Sequence, residues 1–225
     1  MNVDKCDVEC IKKWKPYEQA FELTSKLLFK INGFSRSSQV KPSPNTPLYK
    51  YRHVIENLKI PLKLRLFKGN TTSPELMNHL FDLMKTNMKL LYDETNFYGG
   101  WDDRKKLAEM KYYKTHIIAL FNYNSLIGFT SYRFIVMREC QDPTPALYIY
   151  ELQIKESYRN NGLGKFLISV LELVALSVNC KKLMCTVLKS NERAVSFYMN
   201  KCDFVVDESD PDTEYKVLKL ELKQL

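Results

Sequence analysis

The stretch that decides the fold runs Leu147-Tyr148-Ile149-Tyr150-Glu151-Leu152-Gln153-Ile154 and soon after Arg159-Asn160-Asn161-Gly162-Leu163-Gly164-Lys165. The first half is apolar, β-branched and aromatic, which is the composition of a strand. From Lys165 to Val178, Phe166, Leu167, Val170, Leu171, Val174 and Leu176 recur near helical spacing. Between strand and helix lies a glycine-punctuated turn with a basic residue at each end, Arg159 and Lys165. Glycine lets backbone N–H groups approach a ligand closely. A helix N-terminus adds unpaired donors and a positive partial charge. The unit therefore reads as an anion cradle suited to phosphate.

Two common phosphate motifs do not match. A Walker loop needs a hydroxyl residue after the lysine to hold magnesium; Phe166 follows Lys165, and the spacing back to the first glycine is wrong. A dinucleotide fingerprint needs Gly-x-Gly-x-x-Gly. Here a lone Gly-x-Gly closes the turn.

The spacing Arg159-x-x-Gly162-x-Gly164 resembles the acetyl-CoA loop of the GNAT acetyltransferases. The resemblance continues through a strand-like Lys182-Leu183-Met184-Cys185-Thr186-Val187 to Asn191, Ala194, Phe197 and Tyr198, the family's Asn-x-x-Ala-x-x-Phe-Tyr pattern. It spans roughly the last half of the chain. It implies that acetyl-CoA is the cosubstrate and that its pyrophosphate rests on the loop Arg159, Asn160, Asn161, Gly162, Leu163, Gly164 and Lys165. Strand amides at Leu152, Gln153 and Ile154 would face the pantetheine arm. Asn191 would open the next helix as a cap or meet that arm as a ligand. Tyr198 would be the proton donor to the departing thiolate.

A narrower similarity lies inside this one. Tyr148-Ile149-Tyr150-Glu151, Gly162 to Ile168, and Trp101-Asp102-Asp103-Arg104-Lys105 with Glu109-Met110 resemble the NatD-type histone N-terminal acetyltransferases. Tyr215 also stands where that group has a tyrosine. The resemblance implies acetylation of the α-amine of the first serine of histones four and two-A, whose tails begin Ser-Gly-Arg-Gly. It implies activity without an auxiliary subunit, in cytoplasm and nucleus. Trp101, Tyr148, Tyr150, Glu151 and Tyr215 would line the peptide site.

Acetyl transfer to an amine needs a base, an oxyanion donor and a proton for the leaving group. Glu151 is the first candidate base, since a carboxyl inside an apolar strand is desolvated and its proton affinity rises. Tyr150 is the second, as base, relay or substrate clamp. Neighbours on a regular strand point to opposite faces, so the two share a site only where the strand bulges or splays. The histone arginine would need a carboxylate. The run Asp207-Glu208-Ser209-Asp210-Pro211-Asp212-Thr213-Glu214 either supplies it or is a solvated loop. Related enzymes carry an acid in the strand before Tyr-x-Tyr-Glu, where this chain has Ile135, with Glu139 nearby.

Composition bounds the rest. The chain has 225 residues, 45% of them hydrophobic, which suits one substantial core. No apolar run resembles a signal peptide or a membrane span, so a soluble intracellular protein is expected. Six cysteines lack Cys-x-x-Cys spacing, so reduced thiols are expected and a zinc site is not; Cys6 and Cys10 would be small buried residues. Net charge is +8, part of which could serve an anionic coenzyme. No basic stripe with interleaved aromatics points to direct nucleic-acid binding.

The elements expected along the chain are an N-terminal helical pattern over 4–32 interrupted by Pro16, and a loop over 34–48. Residues 1–48 thus read as a helical extension and 49–225 as the acetyltransferase domain. A first strand follows at Leu62–Phe67. Ser73-Pro74-Glu75 opens a helix through Leu91, and Asp102 or Asp103 caps a short one through Tyr112. Strands at His116–Phe121 and Ile127–Met137 flank a hairpin whose asparagines would take positive φ. The order is strand, two helices, three strands, helix, strand, helix, two strands. This is a mixed α/β chain with a GNAT-type central mixed sheet of about seven strands flanked by helices. Two other readings are a GNAT enzyme for lysine side chains or polyamines, and a non-catalytic acyl-CoA or histone-tail binding module.

Overall fold

The computed structural model describes residues 16–34, 61–139 and 142–223. Seven strands form one sheet. Helix α1 (Pro16–Phe34) precedes β1 (Leu62–Lys68), α2 (Pro74–Thr95), α3 (Asp103–Met110), β2 (His116–Asn122), β3 (Ser125–Glu139) and β4 (Asp142–Ile154). Then come α4 (Leu163–Ser177), β5 (Lys182–Leu188), α5 (Glu192–Ser196), β6 (Val205–Val206) and β7 (Tyr215–Glu221). From β1 to β7 this is the order expected from the sequence. Helix α1 is described from Pro16 onward, and the part of the expected helical pattern before it, residues 4–15, lies outside the described residues. Cys6, Cys10, Cys140 and the loop over 35–48 lie outside the described residues, as does the side chain of Glu139.

The strand order is β1-β2-β3-β4-β5-β7-β6. All neighbours are antiparallel except β4 and β5. Local chemistry sets the helix ends. Ser73 Oγ accepts the Leu76 N–H ahead of Pro74, and Asn96 closes α2 in the left-handed region at φ 51°. Asp102 caps α3 through the Lys105 N–H. The hairpin between β2 and β3 corrects one expectation: the positive φ falls on Tyr123, at 52°, not on an asparagine.

The core is two-sided. One face of the sheet packs on α1 and α4, with Leu28, Ile31, Tyr132, Phe134, Ile149, Phe166, Leu167 and Leu171 all buried. Each such side chain contributes roughly 1.5–3 kcal/mol, and α4 is apolar nearly all round because it buries most of its surface. Asn32 ties α1 to β1, its amide exchanging hydrogen bonds with the Leu64 N–H and C=O at 2.8 and 2.9 Å. The other face packs on α2 and α3 through Met77, Leu80, Met84, Met110, Ile117 and Phe129.

Candidate active site

Two irregularities of β4 build the site. β4 pairs with β5 only from Ala146–Lys182 to Ile149–Cys185. Beyond Ile149 the strands part, and the β4 edge from Tyr150 to Ile154 has no β5 partner. On its other edge β4 pairs Glu151 with Ser131 and Ile149 with Tyr132, so Tyr150 is the extra residue of a β-bulge. The bulge shifts the side-chain alternation by one. Tyr148, which packs with Ile135 and Met184, and Glu151, which meets α3, therefore share the face of the sheet that α2 and α3 cover. In a regular strand, residues three apart would face opposite ways.

Tyr150 joins the same face. Its ring lies 5.3 Å from that of Tyr148, and the Arg133 guanidinium sits 4.1 Å from its centroid. The same guanidinium lies 4.4 Å from the Tyr112 ring centroid. Arg133 is fixed by bonds to the Thr115 hydroxyl (2.9 Å) and the Glu109 carbonyl (2.8 Å). A clamped cation against two rings holds the bulged tyrosine in place.

The Glu151 residue is only 9% exposed. Gln153 Nε2 donates to its Oε2 at 2.7 Å, and Lys106 Nζ approaches Oε1 at 3.8 Å. Burial pushes the Glu151 carboxyl above the ordinary glutamate value; Lys106 and the Gln153 bond pull against that rise. Lys106 also donates to Tyr92 Oη (2.9 Å) and Glu109 (3.1 Å). Burial would lower the Lys106 ammonium, but Glu151, Glu109 and Tyr92 outweigh it and hold it charged. An acceptor with raised proton affinity beside a fixed cation can take a proton from an amine in its reach.

Aromatic residues from separate elements surround this group. Tyr92 contacts Trp101 and Phe97 edge-on, at 5.6 and 5.4 Å between centroids, and Phe97 contacts Tyr215 at 5.7 Å. Trp101 is braced, its Nε1 donating to Asp103 at 2.5 Å and its N–H to Asp93 at 2.9 Å. Tyr98 takes φ 51° and is 70% exposed. The Tyr148 hydroxyl is bonded to Thr186 of β5.

The phosphate-type loop has the expected local geometry. Gly162 caps α4 in the left-handed region at φ 78°, and no side chain caps the helix N–H groups. Gly164 allows close packing, since a Cβ there would meet the Phe197 ring at 3.0 Å. Asn160, Asn161, Gly162 and Lys165 are exposed, whereas Leu163 is anchored in the core. Arg193 of α5 donates to Asn160 at 3.3 Å and so brings a cation to the loop. The Arg159 guanidinium turns back to the Ile154 carbonyl (3.1 Å) and Asn87 (2.6 Å). Asn191 is a helix cap, its side chain accepting the Ala194 N–H at 3.1 Å. An open strand edge beside uncapped helix donors is a fit surface for an extended, phosphate-bearing coenzyme. Among the described residues no cluster of His, Cys, Asp and Glu could hold a metal ion.

Tyr198 is buried on a π-helical turn, Phe197–Lys201, among the α4-face core. Burial raises its phenol well above the ordinary value, helped by Cys185, Cys202 and Glu151.

The acidic run 207–214 is mostly spoken for within the chain. Asp207 is buried against Lys182 (3.6 Å) and Lys219 (3.9 Å) and accepts from Ser209. Glu208 pairs with Lys219, Asp210 accepts the Val217 N–H, and Asp212 pairs with Lys189. Glu214 is exposed next to Tyr215, and its charge helps raise the Tyr98 phenol, after burial and Tyr215. Ile135 is buried in the small cluster with Ala146 and Met184.

Asn87, Arg133, Lys106 and Tyr98 are among the residues of this site that escaped sequence reading. Asn87 falls on the apolar stripe of α2, three residues after Met84, and Arg133 interrupts the apolar run of β3; both were visible anomalies. Lys106 and Tyr98 gave no signal.

The model of the GNAT acetyltransferase family matches residues 77–204, more than half of the chain. The chain belongs to that family: it is an acetyltransferase, and acetyl-CoA is its acyl donor. Solved structures share the fold at low identity. NAA60 from Arabidopsis thaliana, in complex with a bisubstrate analogue, has a TM-score of 0.53 and 14% identity over 72% of this chain and 100% of that one. The PaiA N-acetyltransferase from Thermoplasma acidophilum, in complex with coenzyme A, has a TM-score of 0.51 and 16% identity over 71% and 99%. An acetyltransferase from Thermus thermophilus has a TM-score of 0.50 and 16% identity over 71% and 97%.

Proposed function

We propose that this enzyme acetylates protein N-terminal α-amines in the NatD manner, acting alone in cytoplasm and nucleus on histone tails that begin Ser-Gly-Arg-Gly. The observation that carries the reading is the Tyr150 bulge. It brings Tyr148, Tyr150 and a buried Glu151 onto one face, walled by Trp101, Tyr98 and Tyr215. Small residues with a free amine suit so aromatic an enclosure.

Acetyl-CoA supplies an acyl group activated as a thioester. The amides of Leu163 to Lys165 at the α4 N-terminus, with Arg159, Asn160, Asn161 and Gly162, hold its phosphates. The freed edge of Leu152, Gln153 and Ile154 aligns its arm, and Asn191 shapes the following turn. Glu151 accepts, directly or through water, the proton that the α-ammonium loses so that the neutral amine can attack the thioester carbonyl. Tyr150 orients the amine, and Tyr198, kept protonated by burial, faces the leaving sulfur as the acid. Glu214 is the acid left for the substrate arginine, beside Tyr215 and Tyr98. The test is transfer from acetyl-CoA to two peptides, one beginning Ser-Gly-Arg-Gly and one with a blocked N-terminus. Acetylation of the first alone supports the reading. Lysine acetylation of the blocked peptide sinks it, and no turnover of either favours a binding module.

A further inference from the structure

A chain of side-chain hydrogen bonds runs between the coenzyme loop and the Glu151 carboxylate. Arg159 Nη2 donates to Asn87 Oδ1 at 2.6 Å. Asn87 Nδ2 donates to Gln153 Oε1 at 2.9 Å and to the Ile154 carbonyl at 3.3 Å. Gln153 Nε2 donates to Glu151 Oε2 at 2.7 Å. The direction of the chain is forced at both ends. Guanidinium can only donate and an ionised carboxylate can only accept, so each amide between them has one allowed orientation. Every donor therefore points from the cation toward the anion. Bonds aligned head to tail polarise one another, so each amide strengthens the next link toward Glu151. Asn87 sits on the otherwise apolar stripe of α2, and packing alone does not call for an amide there.

We propose that Asn87 and Gln153 are positioning residues that transmit the state of the coenzyme loop to the Glu151 carboxylate. The proposal rests on the reading of Glu151 as the proton acceptor. With the loop empty, the Arg159 charge is relayed through two amides and favours the ionised carboxylate. A phosphate at the loop draws on the same guanidinium, the relay weakens, and Glu151 becomes the stronger base once the acyl donor is in place. Other groups face Glu151 as well: Lys106 and Glu109 from α3, Tyr92 from α2 and Tyr198 from the π-helical turn. None of these belongs to the chain, so they set the baseline on which coenzyme binding acts.

The full-length protein is labelled with glutamate carrying carbon-13 at the carboxyl. The Glu151 signal is assigned by its loss in Glu151→Gln and titrated with pH, with and without saturating coenzyme A. No amine substrate is present, so an enzyme that prefers lysines gives the same result, and the peptide assay fails or succeeds independently. Coenzyme A is expected to raise the wild-type Glu151 midpoint by about 0.7 pH unit or more, the fivefold low end of ordinary coupling between sites. In Asn87→Leu, and separately in Gln153→Met, the displacement falls below half of that while coenzyme A still binds. Either variant suffices should the other not fold. A coenzyme-induced displacement as large in these variants as in wild type, or none in wild type, overturns the proposal.

Discussion

The proposed coenzyme side and the proposed amine side of the site are built in opposite ways. The coenzyme side is one local unit: β4, the turn Arg159 to Gly162, and α4 follow one another in sequence. The amine side draws Trp101 and Lys106 from around α3, Arg133 from β3, Glu151 from β4 and Tyr215 from β7. Glycine conformation and a helix terminus suffice for the first, and these are properties of a few consecutive residues. The second depends on register, because a one-residue shift in β4 would turn Glu151 away from Lys106. A family can thus keep its donor while changing its acceptor, since substitutions on the amine side leave the local unit intact.

That separation can be broken or sharpened by experiment. The largest expected effect is Glu151→Gln, which removes the proposed proton acceptor and should lower kcat by about 100-fold or more. By reciprocity with the relay, calorimetry should find coenzyme A bound up to about fivefold more tightly wherever wild-type Glu151 is ionised; a loss of affinity would contradict both the relay and the separation of the two sides. Next is Gly164→Ala, which presses a methyl group on the Phe197 ring. It should weaken coenzyme A about tenfold, or about 1.4 kcal/mol, with the peptide KM unmoved. Tyr98→Ala removes an exposed ring at the peptide mouth. The peptide KM should rise about threefold to tenfold, the worth of one aromatic contact, with coenzyme affinity and melting temperature retained.

The smallest effect concerns stability. The folded Glu151 carboxyl is held above its unfolded value by burial. Its favourable contribution is therefore present below the unfolded pKa, about 4.3, and is lost as pH rises through the folded value. Glu151→Gln has no such loss. Its melting temperature should gain on wild type as pH rises across that window; a constant difference would mean that the carboxyl is not destabilised by burial.

The same division explains how much could be read in advance. Helix starts at Ser73 and Asp102, the α4 cradle and the Asn191 cap were legible because each depends on neighbours within three or four residues. An irregularity at Tyr150-Glu151 could be named as a requirement, with bulge and splay as alternatives; the fold has both, a bulge toward β3 and a parting from β5. Asp207 shows the limit. In sequence it belongs to an acidic run that looks solvated or ligand-binding; in the fold it is sealed under Lys182 and Lys219 from two neighbouring strands.

By itself the sequence determined the order of elements from β1 to β7, the single mixed sheet flanked by helices and the glycine that opens α4. Periodicity, capping and glycine placement act along the chain and are written there. Only the tertiary structure decided that β4 parts from β5 after Ile149, and that Asn87 links Arg159 to Gln153. It also decided that Asp207, Glu208 and Asp212 of the acidic run pair with lysines of the chain. Those outcomes depend on which strand lies beside which and in what register, a choice settled by the packing of the whole core.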